Sequence, residues 1–139
     1  MTEISFEYWN KLASQTILIS SLLAGFSITV IANFLVAELN TKLSKYIMIS
    51  ATLAACLFLI SVFAMTGIIM MTTEGYPGKV VTQDDLLFPR ITGALSFVFG
   101  IASLLTMISL AGWTKSRKMG IFTTVIGVLT FIFILTMLT

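Results

Sequence analysis

Few residues in this chain can do chemistry, and their placement narrows what that chemistry is. There is no histidine, and the single cysteine, Cys56, lies inside an apolar run. A histidine acid/base relay and a histidine-ligated metal are excluded. An internal disulfide has no second thiol, so Cys56 reads as a small buried hydrophobe. The acids Glu74, Asp84 and Asp85 share one connecting segment but lack the spacing of a calcium-binding loop. Thr82, Asp84 and Asp85 instead read as the start of a short surface helix, with the threonine as cap and the acids in its first turn. Nucleophile, base and metal ligands never occur together. No enzymatic activity, cofactor or metal site is therefore expected. The net charge of +2 is small and dispersed, so nucleic acid is not an expected partner.

One stripe of residues stands apart. Asn33 is an amide within an otherwise apolar stretch, Thr29 lies four residues before it, and Phe26 and Leu22 precede at steps of three and four. Leu22 to Asn33 is a step of 11 residues, which at ~100° per residue returns to within about 20° of the starting direction. Copies of such a helix around an axis would stack an amide ring, a hydroxyl ring and apolar constrictions, the parts from which pores are built. The same residues also fit a bland reading. Threonine in a membrane helix bonds back to its own backbone, and asparagine near the headgroups is ordinary. Ser20, Ser21, Ala24, Gly25 and Ser27 give this stretch a slim flank for close packing, and Gly93 and Gly100 do the same further on.

The elements that must carry these residues follow from composition. Of the 139 residues, 58% are hydrophobic and 10% charged, against roughly a quarter charged in ordinary soluble domains. In water the exposed apolar surface would cost about 25 cal/mol per Å²; in lipid that cost disappears. Four stretches, Ile17–Val36, Tyr46–Met71, Ile91–Gly112 and Ile121–Leu138, contain no Asp, Glu, Lys or Arg. A helix of about 20 residues spans the ~30 Å hydrocarbon core. None of the four alternates as spanning strands would. The expected fold is an all-α integral membrane protein of four helices, with residues 1–139 as a single membrane domain. Segment 3–12 is expected to be an interfacial turn or two of helix, with Ile4, Tyr8, Lys11 and Leu12 on one face and Tyr8 and Trp9 at headgroup depth. Glu3 and Glu7 precede the first stretch, so it is not expected to be a cleaved leader.

Lysine and arginine set orientation. Lys42, Lys45, Lys115, Arg117 and Lys118 fall on one side, and Lys11, Lys79 and Arg90 on the side of both termini. Five against three places both termini outside the cytoplasm.

The run Ser20-Ser21-Leu22-Leu23-Ala24-Gly25-Phe26-Ser27, continuing to Asn33, resembles the first, pore-lining helix of Orai, the calcium-release-activated calcium channel family. Ser61-Val62-Phe63-Ala64-Met65 is similar to that family's second helix. Ala94-Leu95-Ser96 through Gly100 to Trp113 and Lys115 is similar to its third. The resemblance implies a homo-oligomer, a hexamer in the family, with first helices around a central pore. Asn33 then takes the place of the selectivity glutamate, Thr29, Phe26 and Leu22 the hydrophobic pore section, and Gly25 the hinge-like glycine. Leu18 and Ser14 stand where the family has basic residues, so Leu18 joins Leu22 and Phe26 as the gate. An amide ring lacks the charge by which a carboxylate ring concentrates calcium, so calcium selectivity is not implied. The family's cytoplasmic tail is not expected beyond the fourth span. Its termini face the cytoplasm, opposite to the charge count, and orientation stays open.

These readings converge on an oligomeric, cation-conducting channel of the cell membrane, multi-pass, whose partners are the lipid bilayer, further copies of the chain and the permeating ions. Two alternatives stand beside it. One is an accessory or structural four-span subunit that transports nothing. The other is a small-molecule transporter, although no span carries the carboxylate that proton coupling requires.

Overall fold

A computed structural model describes residues 5–36, 41–77, 80–82 and 84–138. It contains four helices: α1 (Phe6–Val36), α2 (Lys42–Thr72), α3 (Leu87–Trp113) and α4 (Arg117–Leu138). All four are long and apolar enough to cross a membrane, and the protein is a multi-pass, all-helical membrane protein.

The helices start and stop where local chemistry requires. Thr41 caps α2, its hydroxyl accepting from the Ser44 amide at 3.1 Å. Past Thr72 the chain turns at Gly75, whose φ of 86° suits glycine. A single turn precedes α3, where the Asp85 carboxylate accepts from the Thr82 amide at 3.0 Å and its hydroxyl at 3.1 Å. This is the returning half of a capping box rather than a threonine-capped helix. The expected surface helix is thus shortened to one turn, and α3 begins at Leu87 without a side-chain cap. Ser116 starts α4 by accepting from the Met119 amide at 3.2 Å.

α1 begins well before the first uncharged stretch. Its 31 residues measure about 46 Å at ~1.5 Å per residue, longer than the hydrocarbon core. The described part of the expected interfacial segment, from Phe6 on, is continuous with the span. Nothing between Phe6 and Ile17 breaks a helix, and an i,i+4 pair between Lys11 and Glu7, at 3.0 Å, lies along it. Residues 3 and 4 lie outside the described residues. Tyr8 faces outward, whereas Trp9 packs inward with Ala13, Met65, Ile68 and Leu86.

Neighbours in sequence are neighbours in space: α1 packs on α2, α2 on α3, and α3 on α4. The second core joins Ala24 of α1, Ile47, Ala51, Ala54 and Phe58 of α2, and Ile101, Leu104 and Met107 of α3. Small residues make the seams. Ser20, Ala24 and Ser27 are buried on α2, and the Ser20 hydroxyl lies 3.5 Å from that of Ser61, which donates to the Gly93 carbonyl at 3.1 Å. Of the expected slim flank, Ser21 and Gly25 point the other way. Cys56 is also exposed rather than buried. One helical position separates it from Ala55, and a uniformly apolar run does not mark which side meets lipid. In α4 only Gly120 and Gly127 are buried.

Gly100 has the packing role expected of it. A Cβ there would lie 2.9 Å from the ring of Phe58, itself fully buried. Alanine gains about 1 kcal/mol of helix propensity over glycine, but overpacking against an immobile ring costs about 1–3 kcal/mol. Gly100→Ala should therefore lower the thermal midpoint in detergent, whereas Gly25→Ala, whose Cβ meets nothing within 4 Å, should not. A Gly100→Ala protein as stable as the parent would contradict this seam.

Candidate functional site

α1 divides into two faces. Trp9, Ala13, Ser20, Ala24 and Ser27 are buried. At ~100° per residue they lie within an arc of about 60°. Leu18, Leu22, Gly25, Phe26, Thr29 and Asn33 are all exposed, and the same rotation places their stripe about 180° from the buried one. The three large apolar members are 58%, 68% and 52% exposed for Leu18, Leu22 and Phe26. A single chain therefore gathers six of the seven residues singled out from the sequence onto one outward face. Gly100 is elsewhere, between α2 and α3.

The division has a physical cause. Close approach of α1 to α2 needs small side chains, so the Ala/Ser stripe turns inward. The bulky stripe then faces away, because the two stripes are rigidly fixed on one helix.

The polar end is built simply. The Thr29 hydroxyl donates to the Gly25 carbonyl at 2.9 Å, the back-bonding that threonine adopts in apolar surroundings. Its proton is used and its lone pairs face outward. Ser14 and Thr16 bond back in the same way, to the Asn10 and Leu12 carbonyls. Asn33 is exposed one turn before the end of α1, and its amide has no hydrogen bond within the protomer among the described residues. The stripe thus offers oxygen acceptors at one end and bulky apolar side chains along the rest. Gly25 sits in regular helix with open space beside it. Among the described residues, no group of three or more histidine, cysteine or carboxylate side chains is placed to hold a metal ion.

Other polar contacts were not foreseen from the sequence. The Asn10 amide donates to the Thr72 hydroxyl at 3.0 Å, pinning the start of α1 to the end of α2. The Trp113 indole donates to the Thr124 hydroxyl at 3.0 Å, closing the α3–α4 corner. Arg90 stacks on Trp9, its guanidinium carbon 4.9 Å from the ring centroid. An arginine at the edge of the third uncharged stretch was the available signal for the last of these, but sequence spacing did not connect it to residue 9.

The five cations Lys42, Lys45, Lys115, Arg117 and Lys118 are exposed at the end where α1 meets α2 and α3 meets α4. Lys11 and Arg90 lie at the other end, and Lys79 falls outside the described residues.

Comparison with family models, curated proteins and solved structures returns no match for this chain.

The two faces of α1 are separable by thiol chemistry. With Cys56→Ser as background, Leu22→Cys should react with a maleimide in mild detergent roughly tenfold faster than Ala24→Cys, because reactivity follows exposure. In monomeric protein, equal rates would mean that α1 is rotated from the position described.

Proposed function

We propose that the protein is an oligomeric ion channel of the cell membrane, cation-conducting, whose pore is lined by α1 from several copies. The observation that carries this reading is the outward stripe of α1. Its packing face is spent on α2, and the opposite face holds a graded series from apolar Leu18, Leu22 and Phe26 to Thr29 and Asn33. Arranged about an axis, the leucines and Phe26 form a constriction that closes by dewetting, and Asn33 forms a ring at one mouth. The resemblance to Orai supports the same assembly, with six copies as the expected number and Gly25 as a hinge. A single protomer has too little interior for a water-filled path, so conduction requires several copies.

Cation preference follows from the groups presented. The Thr29 proton is held by the Gly25 carbonyl, leaving oxygen lone pairs toward the axis, and the Asn33 amide supplies a carbonyl oxygen. Neutral oxygens replace part of a cation's hydration shell without the charge that would favour divalent ions.

Flux into liposomes containing only the purified protein tests the reading, with potassium, sodium, calcium and chloride compared. Phe26→Ala should widen the constriction and raise basal flux by roughly tenfold or more, since removing a dewetting side chain removes the barrier itself. Asn33→Asp should shift permeability toward divalent cations by creating a carboxylate ring. Absence of flux from parent and Phe26→Ala proteins that are folded and homo-oligomeric would overturn the channel and favour an accessory subunit.

A further inference from the structure

We infer that the cleft at the end of the bundle carrying both termini binds one phospholipid with a net negative headgroup, the phosphate held by Arg90 beside Trp9. The inference goes beyond conduction and does not depend on it.

The site is a cavity of about 550 Å³ where the start of α1, the end of α2, the start of α3 and the end of α4 converge. Leu12, Ala94, Phe97, Val98, Met137 and Leu138 are among the residues that line it, giving an apolar bed. Arg90 and Trp9 stand in the same wall.

Two donors without partners belong to that wall. The Trp9 indole N–H is buried without a hydrogen-bond partner, and Trp9 itself is 9% exposed. Arg90 is half-buried. Among the described residues its guanidinium makes no ion pair or hydrogen bond, only the stacking contact at 4.9 Å. A guanidinium has five N–H donors and no acceptor, and indole has a donor alone. Their mutual complement is an anionic acceptor, and the guanidinium fork matches phosphate.

Nearby acids are otherwise engaged. Glu7 is paired with Lys11, and Asp85 accepts from Thr82. Asp84 is exposed and does not reach Arg90. Arg90 also sits in the first turn of α3, where the helix dipole adds positive potential and favours an anion.

Depth and shape select the source of the phosphate. Arg90 immediately precedes the uncharged stretch Ile91–Gly112, so it stands at the boundary of the hydrocarbon, where lipid phosphates lie. Free phosphate would leave the apolar bed uncovered; a lipid fills it with an acyl chain. A choline headgroup gains little, because Arg90 already covers the face of Trp9 that a quaternary ammonium would seek.

Trp9 reports on its own site. The chain has two tryptophans, so Trp113→Phe leaves Trp9 as the single indole. In phosphatidylcholine bilayers, phosphatidylglycerol with brominated acyl chains should quench Trp9 at about fivefold lower mole fraction than brominated phosphatidylcholine. Arg90→Gln should abolish that preference, and Arg90→Lys should retain part of it. The Trp9→Phe protein reports only Trp113, beside Lys115, Arg117 and Lys118, and its quenching should not change on Arg90→Gln. It also supplies the Trp9 signal by difference from the parent if Trp113→Phe fails to fold. Equal quenching by the two lipids would overturn the proposal. So would a preference that persists in a helical Arg90→Gln protein. Loss of the preference on adding inorganic phosphate would assign the site to free phosphate rather than lipid.

Discussion

In hydrocarbon an unpaired backbone N–H or C=O costs several kcal/mol, and the rest of this structure depends on avoiding that cost. Each of the four helices satisfies its own backbone through its interior, and α1 continues through residues 6–16, where nothing in the sequence breaks it. Once backbone bonding is internal to each helix, it no longer discriminates between neighbours. Lipid tails are as apolar as leucine, so association is left to close packing and a few polar contacts. The seams are accordingly narrow. Ser20, Ala24 and Ser27 lie against α2, the Ser61 hydroxyl donates to the Gly93 carbonyl, and Gly100 lies under Phe58.

That packing rule decides which surface is left for function. α2 supplies the centre of the fold, with a third of its most apolar window buried, while α4 is buried over only 6% of its own. α1 gives its small residues to α2 and keeps its large ones outward. That outward stripe is bulky and apolar over most of its length, which lipid covers without cost, and it ends in the Thr29 hydroxyl and the Asn33 amide. In the channel we propose, the apolar members exclude water when crowded about an axis, and the polar members substitute for it.

The end with both termini follows a different logic. There the start of α1, the end of α2, the start of α3 and the end of α4 line one cleft. Arg90 and Trp9 stack on each other but leave their N–H groups without partners among the described residues. In water such groups would be solvated at no cost. Beside an apolar bed they require a partner that is anionic at one end and apolar at the other. Lipid chemistry has that shape.

Much of the architecture was legible before any coordinates. Four uncharged stretches on a chain with few charges determine the number of helices, because only helices satisfy the backbone in lipid at that length. Leu22, Phe26, Thr29 and Asn33 share a helical face by arithmetic alone, and Gly100 was recognisable as a place of close approach. Other features required the tertiary structure. In a uniformly apolar run, side-chain type cannot distinguish a lipid-facing position from a helix-facing one, since both are apolar; packing turned Cys56 and Ser21 outward, and it drew Trp9 inward from the interfacial segment. The pairing of Asn10 with Thr72, 62 positions apart, and the stacking of Arg90 on Trp9 come from how the helices are brought together. The sequence by itself determined the helices and the internal order of each face. Only packing decided which face of α1 meets α2 and which is left free, because that choice depends on the shape of a neighbouring surface that local periodicity does not encode.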